Sequence, residues 1–113
     1  MKSAMVATWT HPIAGREAKA LDYGAEVMEF WGKRAAEGKC SEPELFFSER
    51  GTGMWMVKGQ RDVLLLIHDT DEARLLTMKG ELLLEGFGID FCYAGESAMD
   101  YMTRYGKALT TIG

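Results

Sequence analysis

The sequence contains few of the residues that build disulfide or metal frameworks. Cys40 and Cys92 are its only cysteines in 113 residues, too few for a disulfide scaffold or a cysteine-built zinc site. Basic residues are also in the minority, with 13 Lys and Arg against 17 Asp and Glu and a net charge of −4. Nucleic acid and acidic membranes are therefore not expected as partners. No metal and no cofactor is predicted.

Long apolar runs are missing as well. The longest covers residues 63–67, far fewer than the ~20 residues of a membrane-spanning helix. The chain does not open with a basic and apolar leader, so a cytoplasmic protein is expected. The composition, 47% apolar and 27% charged, is typical of a soluble globular protein. The length predicts a single domain over residues 1–113.

Hydrophobic periodicity predicts alternating strands and helices. Strands are predicted over residues 5–11, 44–50, 54–59 and 86–93. Helices are predicted over residues 15–37, over 69–80 with Asp69 as the N-cap, and after Gly95. Residues 61–68 fit a buried strand or a short helix, and we favour the helix. The spacing in the first helix predicts a buried stripe made of Ala18, Leu21, Ala25, Met28 and Ala35.

This order of elements predicts a ferredoxin-like α+β fold. A four-stranded antiparallel sheet would carry helices on one face, with an extra helix at the C-terminus. Phe87, Ile89, Phe91 and Tyr93 alternate with smaller or polar residues. We expect their strand to be central or near-central, with Phe91 buried under the helices.

The chain also resembles small bacterial proteins of the dimeric α+β barrel superfamily. The resembling segments include the first helix with FWGK at 30–33, EPE at 42–44, GMWMVKG at 53–59, Asp71-Glu72 and FCYAGE at 91–96. That superfamily includes haem-degrading and cofactor-free monooxygenases, muconolactone-isomerase-like enzymes and proteins without a known reaction. No catalytic motif of those enzymes matches this sequence residue by residue. The resemblance therefore implies the fold and a dimer, and assigns no catalytic role.

The strands predicted over residues 44–50 and 54–59, which are joined as a hairpin, independently predict a homodimer. Phe46 and Phe47 are adjacent, as are Trp55 and Met56, so each strand presents a large apolar side chain on both of its faces. The sheet face away from the helices would then expose a patch larger than soluble monomers usually show. A second copy could cover this patch by two-fold packing of sheet on sheet.

Two residues are candidates for acid–base chemistry. His11 ends the first strand beside Pro12 and could act as a general base or haem ligand, although an exposed strand-end residue is the simpler interpretation. Asp90 points away from Phe91, toward the face that a dimeric barrel encloses, where its pKa would rise unless an arginine paired with it. The alternative is a solvated or structurally paired carboxylate. His68, among acidic residues, is better explained by helix capping than by metal binding.

The predicted ligand pocket consists of Trp9, Trp55, Met56 and Asp90. One function compatible with it is a homodimer that binds a small apolar molecule. The other is a small cofactor-free or haem-linked monooxygenase or isomerase, acting on an aromatic or polyketide-like substrate with His11 and Asp90 as acid and base. A structural dimer without a pocket is the third possibility. An enzyme needs at least two polar groups that converge on one pocket, so the placement of His11 and Asp90 discriminates between these functions.

Overall fold

A four-stranded antiparallel sheet is the centre of the fold. The computed structural model describes residues 1–112. The sheet contains β1 (Lys2–Trp9), β3 (Glu44–Phe47), β4 (Gly53–Gln60) and β6 (Gly88–Tyr93), in the spatial order β3-β4-β1-β6. Two short strands, β2 (His11–Pro12) and β5 (Leu84–Glu85), pair separately. The helices are α1 (Glu17–Ala36), α2 (Arg61–His68), α3 (Asp71–Leu83) and α4 (Glu96–Ile112). This arrangement confirms the predicted ferredoxin-like α+β fold.

The register separates the side chains of the sheet into two sets. Ala7 lies opposite Trp55 on β4 and Ile89 on β6, and these residues face the helices. Val6 lies opposite Met56 and Asp90, and because strand side chains alternate, these three face the other way. We call this second surface the open face. Its members are Ala4, Val6, Thr8, Glu44, Phe46, Met54, Met56, Lys58, Gly88, Asp90 and Cys92.

The prediction of a central position for the last strand was wrong. β6 is an edge strand, and the central strands are β1 and β4, whose Ala7 and Val57 are fully buried. Phe91 is only partly buried, and it packs edge-on against His68 of α2 with 5.5 Å between ring centroids. Strict alternation shows that one face of a strand is buried. It carries no information on whether the strand has hydrogen-bonded neighbours on both sides.

The predicted buried stripe of α1 was also wrong. The residues that α1 buries are Tyr23, Val27, Phe30 and Trp31, whereas Leu21 is 70% exposed. Burial of apolar area favours large side chains over alanines, so the three aromatic residues determine which face of α1 packs on the sheet. The predicted stripe was based mainly on alanines, and several of its members instead line a cavity described below.

The connection after β4 is helical, as favoured from the sequence. α2 buries Leu64 and Ile67, and α3 buries Ala73 and Leu76. The N-cap of α3 is Thr70 and not the predicted Asp69, since the Thr70 hydroxyl accepts a 3.3 Å hydrogen bond from the Ala73 N–H. No helix within residues 1–112 is long and apolar enough to cross a membrane.

Candidate ligand-binding site

A cavity of about 400 Å³ lies between α1 and the sheet. Trp9 and Trp55 form its sheet wall, and Leu45 and Phe47 of β3 border it at the edge. Its volume falls within the range of ~300–1,000 Å³ that is typical of small-molecule sites. The remaining lining residues are Pro12, Glu17, Ala20, Leu21, Tyr23, Gly24, Ala25, Met28, Glu49, Gly51 and Leu84.

The cavity exists because the two halves of α1 differ in side-chain size. The second half fills the space above the sheet with Val27, Phe30 and Trp31. The first half presents small residues such as Ala20 and Gly24 at the same depth, and they leave the space empty. A Cβ added to Gly24 would meet only the Leu45 side chain, at 4.0 Å.

Tyr23 is the polar residue buried at this site. Its hydroxyl oxygen accepts a hydrogen bond of 3.4 Å from the indole N–H of Trp55, and only 2% of the residue is exposed. Burial raises the pKa of Tyr23 to about 12, with a smaller contribution from the charge of Glu26, while the Trp55 hydrogen bond acts to lower the pKa. The phenol is therefore protonated at neutral pH, and its O–H can donate to an acceptor in the cavity.

Trp9 is held in place by a glycine on the neighbouring strand. Gly53 lies directly opposite Trp9, and a Cβ on Gly53 would come within 2.3 Å of the Trp9 ring carbon Cζ2. Glycine therefore lets the indole lie flat against the backbone of β4. The Trp9 Nε1 atom is buried and has no hydrogen-bond partner within residues 1–112, an arrangement that costs free energy.

The mouth of the cavity carries both apolar and acidic side chains. Leu45 and Phe47 are 42% and 57% exposed although they line the cavity. Glu17 and Glu49 are exposed lining residues as well. Carboxylates at the mouth would repel anionic ligands, so the site favours neutral or cationic molecules with a largely apolar body.

The structure separates the four residues of the predicted pocket into two pairs. Trp9 and Trp55 line the cavity, whereas Met56 and Asp90 lie on the open face, on the other side of the sheet. Asp90 is exposed. The sheet therefore lies between the two tryptophans and the Asp90 carboxylate, which was predicted to be in the same pocket.

The two acid–base candidates do not meet in the cavity. His11 belongs to β2, is exposed, and has its Nδ1 atom 3.0 Å from the carbonyl oxygen of Pro12. Neither His11 nor Asp90 lines the cavity. His68, the last residue of α2, packs against Phe91. Residues 1–112 contain no cluster of three or more histidine, cysteine or acidic side chains arranged to hold a metal ion.

Sequence reasoning missed Tyr23 and Gly24 as residues of the site. The alanine-rich stripe predicted for α1 leaves Tyr23 outside the buried face. The usable signal is that Val27 follows Tyr23 by four residues, and that Phe30 and Trp31 follow Val27 by three and four residues. This is the spacing of one helix face, and it carries larger apolar side chains.

Several solved structures share this fold. PA3566 from Pseudomonas aeruginosa aligns with a TM-score of 0.60 and 21% identity over 83% of this chain and 94% of its own. A Caulobacter crescentus protein, provisionally named as an antibiotic biosynthesis monooxygenase, aligns with a TM-score of 0.62 and 20% identity over 83% and 90%. Rv0793 from Mycobacterium tuberculosis aligns with a TM-score of 0.64 and 15% identity over 84% of this chain and 96% of its own.

At sequence identities of 15–21%, the similarity to these proteins concerns the fold alone. No protein-family model matches the sequence, and no curated protein matches it either.

Proposed function

We propose that the protein binds a small, largely apolar molecule in the cavity between α1 and the sheet, and that it works as a homodimer. The observation that carries the proposal is the largely apolar cavity of about 400 Å³ in which the hydroxyl of Tyr23 is the buried polar group, with Glu17 and Glu49 exposed at the mouth. Apolar walls with a few placed polar groups are typical of small-molecule sites. The two tryptophans favour a planar aromatic ligand, since aromatic rings pack on one another in offset or edge-to-face geometry.

The chain offers a matched pair of variants to test binding. Gly24 and Gly32 both lie within α1, but only Gly24 lines the cavity, and a Cβ at Gly32 meets nothing within 4 Å. Leucine has a higher helix propensity than glycine by about 1 kcal/mol, so both Gly24→Leu and Gly32→Leu should keep the helix. Only the Gly24→Leu side chain would enter the cavity.

The probe is N-phenyl-1-naphthylamine, an uncharged aromatic fluorophore. We expect its emission to rise with the wild type and with Gly32→Leu, and its affinity to fall at least tenfold with Gly24→Leu. Equal binding by the two variants would mean that the probe sits elsewhere, and no binding by the wild type would contradict the proposal. Circular dichroism of both variants checks that α1 is retained.

A second candidate function is oxygenation or isomerisation of an aromatic or polyketide-like substrate in the same cavity. It is supported by the name of the Caulobacter crescentus neighbour and by the protonated phenol of Tyr23, which could stabilise a developing oxyanion. The cofactor-free form is favoured over the haem-linked form, because neither His11 nor His68 lines the cavity. Oxygen uptake with hydroxylated naphthalenes would support it, provided that Gly24→Leu abolishes the uptake and Gly32→Leu does not.

The homodimer is supported by the apolar side chains of the open face. Phe46 is 49% exposed there, beside Met54 on the adjacent strand, and Met56 lies next to Val6. Packing of two open faces would bury these side chains and bring Asp90 of each copy into an enclosed layer.

A further inference from the structure

The C-terminal helix α4 has an apolar face that no other part of residues 1–112 covers. All 17 of its residues are exposed or only partly buried. Its main contacts are with β1 and β6 at its beginning. Its large apolar side chains, which are 47–80% exposed, are Met99, Tyr101, Met102, Tyr105, Leu109 and Ile112.

The spacing of these residues is that of a helix that packs on another helix. Ala98, Met102, Tyr105, Leu109 and Ile112 follow one another at intervals of four, three, four and three residues. These are the alternating intervals of positions a and d in a heptad. The opposite face carries polar residues such as Thr103, Lys107 and Thr110, as expected of a helix with one buried side.

The start of α4 is fixed to its own sheet, and the rest is not. The Ser97 hydroxyl donates a hydrogen bond to the Lys2 carbonyl, and Tyr101 stacks on Tyr93 with 4.4 Å between ring centroids. Beyond Tyr101 the apolar face is open to solvent. An isolated helix of this length is marginally stable in water, so the exposed turns require a partner surface.

We propose that α4 pairs in an antiparallel orientation with α4 of a second copy of this chain. A two-fold axis near Tyr105 would place Ala98 of one helix opposite Ile112 of the other, and Met102 opposite Leu109. A small residue then meets a large one, and the contact is self-complementary, as two-fold symmetry requires. The inference does not depend on the cavity or its ligand.

The charged residues of α4 lie outside its apolar face. Glu96 and Asp100 lie in its first half, and Arg104 and Lys107 lie in its second half. At 100° per residue all four fall on the side of the helix away from Met102 and Leu109, so pairing through the apolar face buries no charge. With equal numbers of acidic and basic residues, α4 also lacks the basic excess of a helix that binds anionic lipid.

The exposed area is sufficient for such a contact. The four large apolar side chains of the stripe, Met102, Tyr105, Leu109 and Ile112, are 51–80% exposed. They offer about 500 Å² in total, taking ~200 Å² for each side chain in full. Each partner in an interface of standard size contributes about 800 Å². Pairing of α4 can therefore supply most of an interface, and the Tyr105 rings would lie at its centre.

Cross-linking tests the proposed geometry in the full chain. In a Cys40→Ser/Cys92→Ser background, Tyr105→Cys places a thiol at the two-fold axis, and Thr103→Cys places one on the polar face as a matched control. Under copper–phenanthroline oxidation at micromolar protein, we expect at least tenfold more disulfide-linked dimer from Tyr105→Cys. Equal cross-linking at both positions, or none at Tyr105→Cys, would overturn the proposal.

A second pair of variants covers the case in which the cysteine variants perturb folding. Leu109→Glu places a charge within the apolar face, and Thr110→Glu places the same charge on the polar face. Light scattering should give a smaller assembly for Leu109→Glu, while the mass with Thr110→Glu stays that of the wild type. An unchanged mass with Leu109→Glu would contradict α4 pairing even if the open face forms a dimer.

Discussion

The phenol of Tyr23 shows how a single buried group can define the chemistry of an apolar cavity. Its oxygen accepts from Trp55, so its own proton would be free to donate to a ligand in the proposed site. A pKa raised to about 12 by burial makes this group a hydrogen-bond donor and a poor base at neutral pH. A ligand with a carbonyl or hydroxyl oxygen at its edge would accept a hydrogen bond from the Tyr23 hydroxyl.

The raised pKa of Tyr23 predicts an alkaline loss of stability. The unfolded chain releases the phenol proton above about pH 10, whereas the folded protein holds it until about pH 12. The free energy of unfolding should therefore fall by about 1.4 kcal/mol per pH unit across this window, and be unaffected by Tyr23 below it. Urea denaturation of the wild type at about pH 8 and pH 11 measures the effect.

Two phenylalanine variants serve as controls for this titration. Tyr23→Phe should lose the alkaline slope, and Tyr101→Phe, at a 47% exposed position of α4, should keep it. At neutral pH, Tyr23→Phe should cost about 1–3 kcal/mol, because it leaves the Trp55 N–H buried without an acceptor. The same slope in Tyr23→Phe as in the wild type would assign the titration to other groups.

At the scale of single elements, α1 performs two tasks along its length. Its second half builds the core with Val27, Phe30 and Trp31, and the Phe30 and Trp31 rings pack edge-on at 5.3 Å. Its first half, with Gly24 and Ala20, leaves the cavity open. A salt bridge of 2.8 Å between Lys79 and Glu26 connects α1 to α3 near the boundary between the halves.

The edge position of β6 lowers the loss of stability that is expected when Phe91 is truncated. Phe91 is partly buried, with the Arg61 guanidinium 5.8 Å from its ring centroid. Phe91→Ala should therefore cost about 2 kcal/mol, below the ~3–5 kcal/mol that is typical of a fully buried phenylalanine. Phe30→Ala removes the same side chain from a position that is 4% exposed, and it should reach the higher range. Chemical denaturation of both variants gives the comparison, and a larger loss at Phe91 than at Phe30 would contradict it.

At the scale of the whole molecule, the open face and α4 are two separate apolar surfaces. The molecule measures 50 × 34 × 24 Å, an elongated shape for a chain of this size. Phe46 and Met54 mark the open face, and Met102 and Leu109 mark α4. If both surfaces pair, the chain forms an assembly with two kinds of two-fold contact.

A charge on the open face should weaken the proposed homodimer. Met56 lies on β4 opposite Val6 and Glu44, so Met56→Glu places a carboxylate within the proposed sheet-on-sheet contact. We expect light scattering at micromolar concentration to show a smaller species and the melting temperature to fall. Leu66→Glu, at a 73% exposed position of α2, is the matched control and should change neither. A concentration-independent wild-type monomer would contradict both the homodimer and the α4 pairing.

Local patterns along the chain were sufficient to predict most of the fold. Alternation in residues 86–93 and the order of elements together predicted the ferredoxin-like sheet, because periodicity reports which face of an element is buried. Alternation in β3 and β4 also predicted that one member of each pair, Phe46 or Phe47 and Trp55 or Met56, faces away from the helices. The register shows that these members are Phe46 and Met56.

Only the tertiary structure decided what depends on packing between distant elements. The buried face of α1 and the cavity beside Gly24 depend on how much volume α1 fills above the sheet. The edge position of β6 depends on which strands pair, and the separation of Trp55 from Asp90 depends on the register of those strands. A sequence specifies side-chain size and local spacing, whereas empty space is set by elements that meet only after folding.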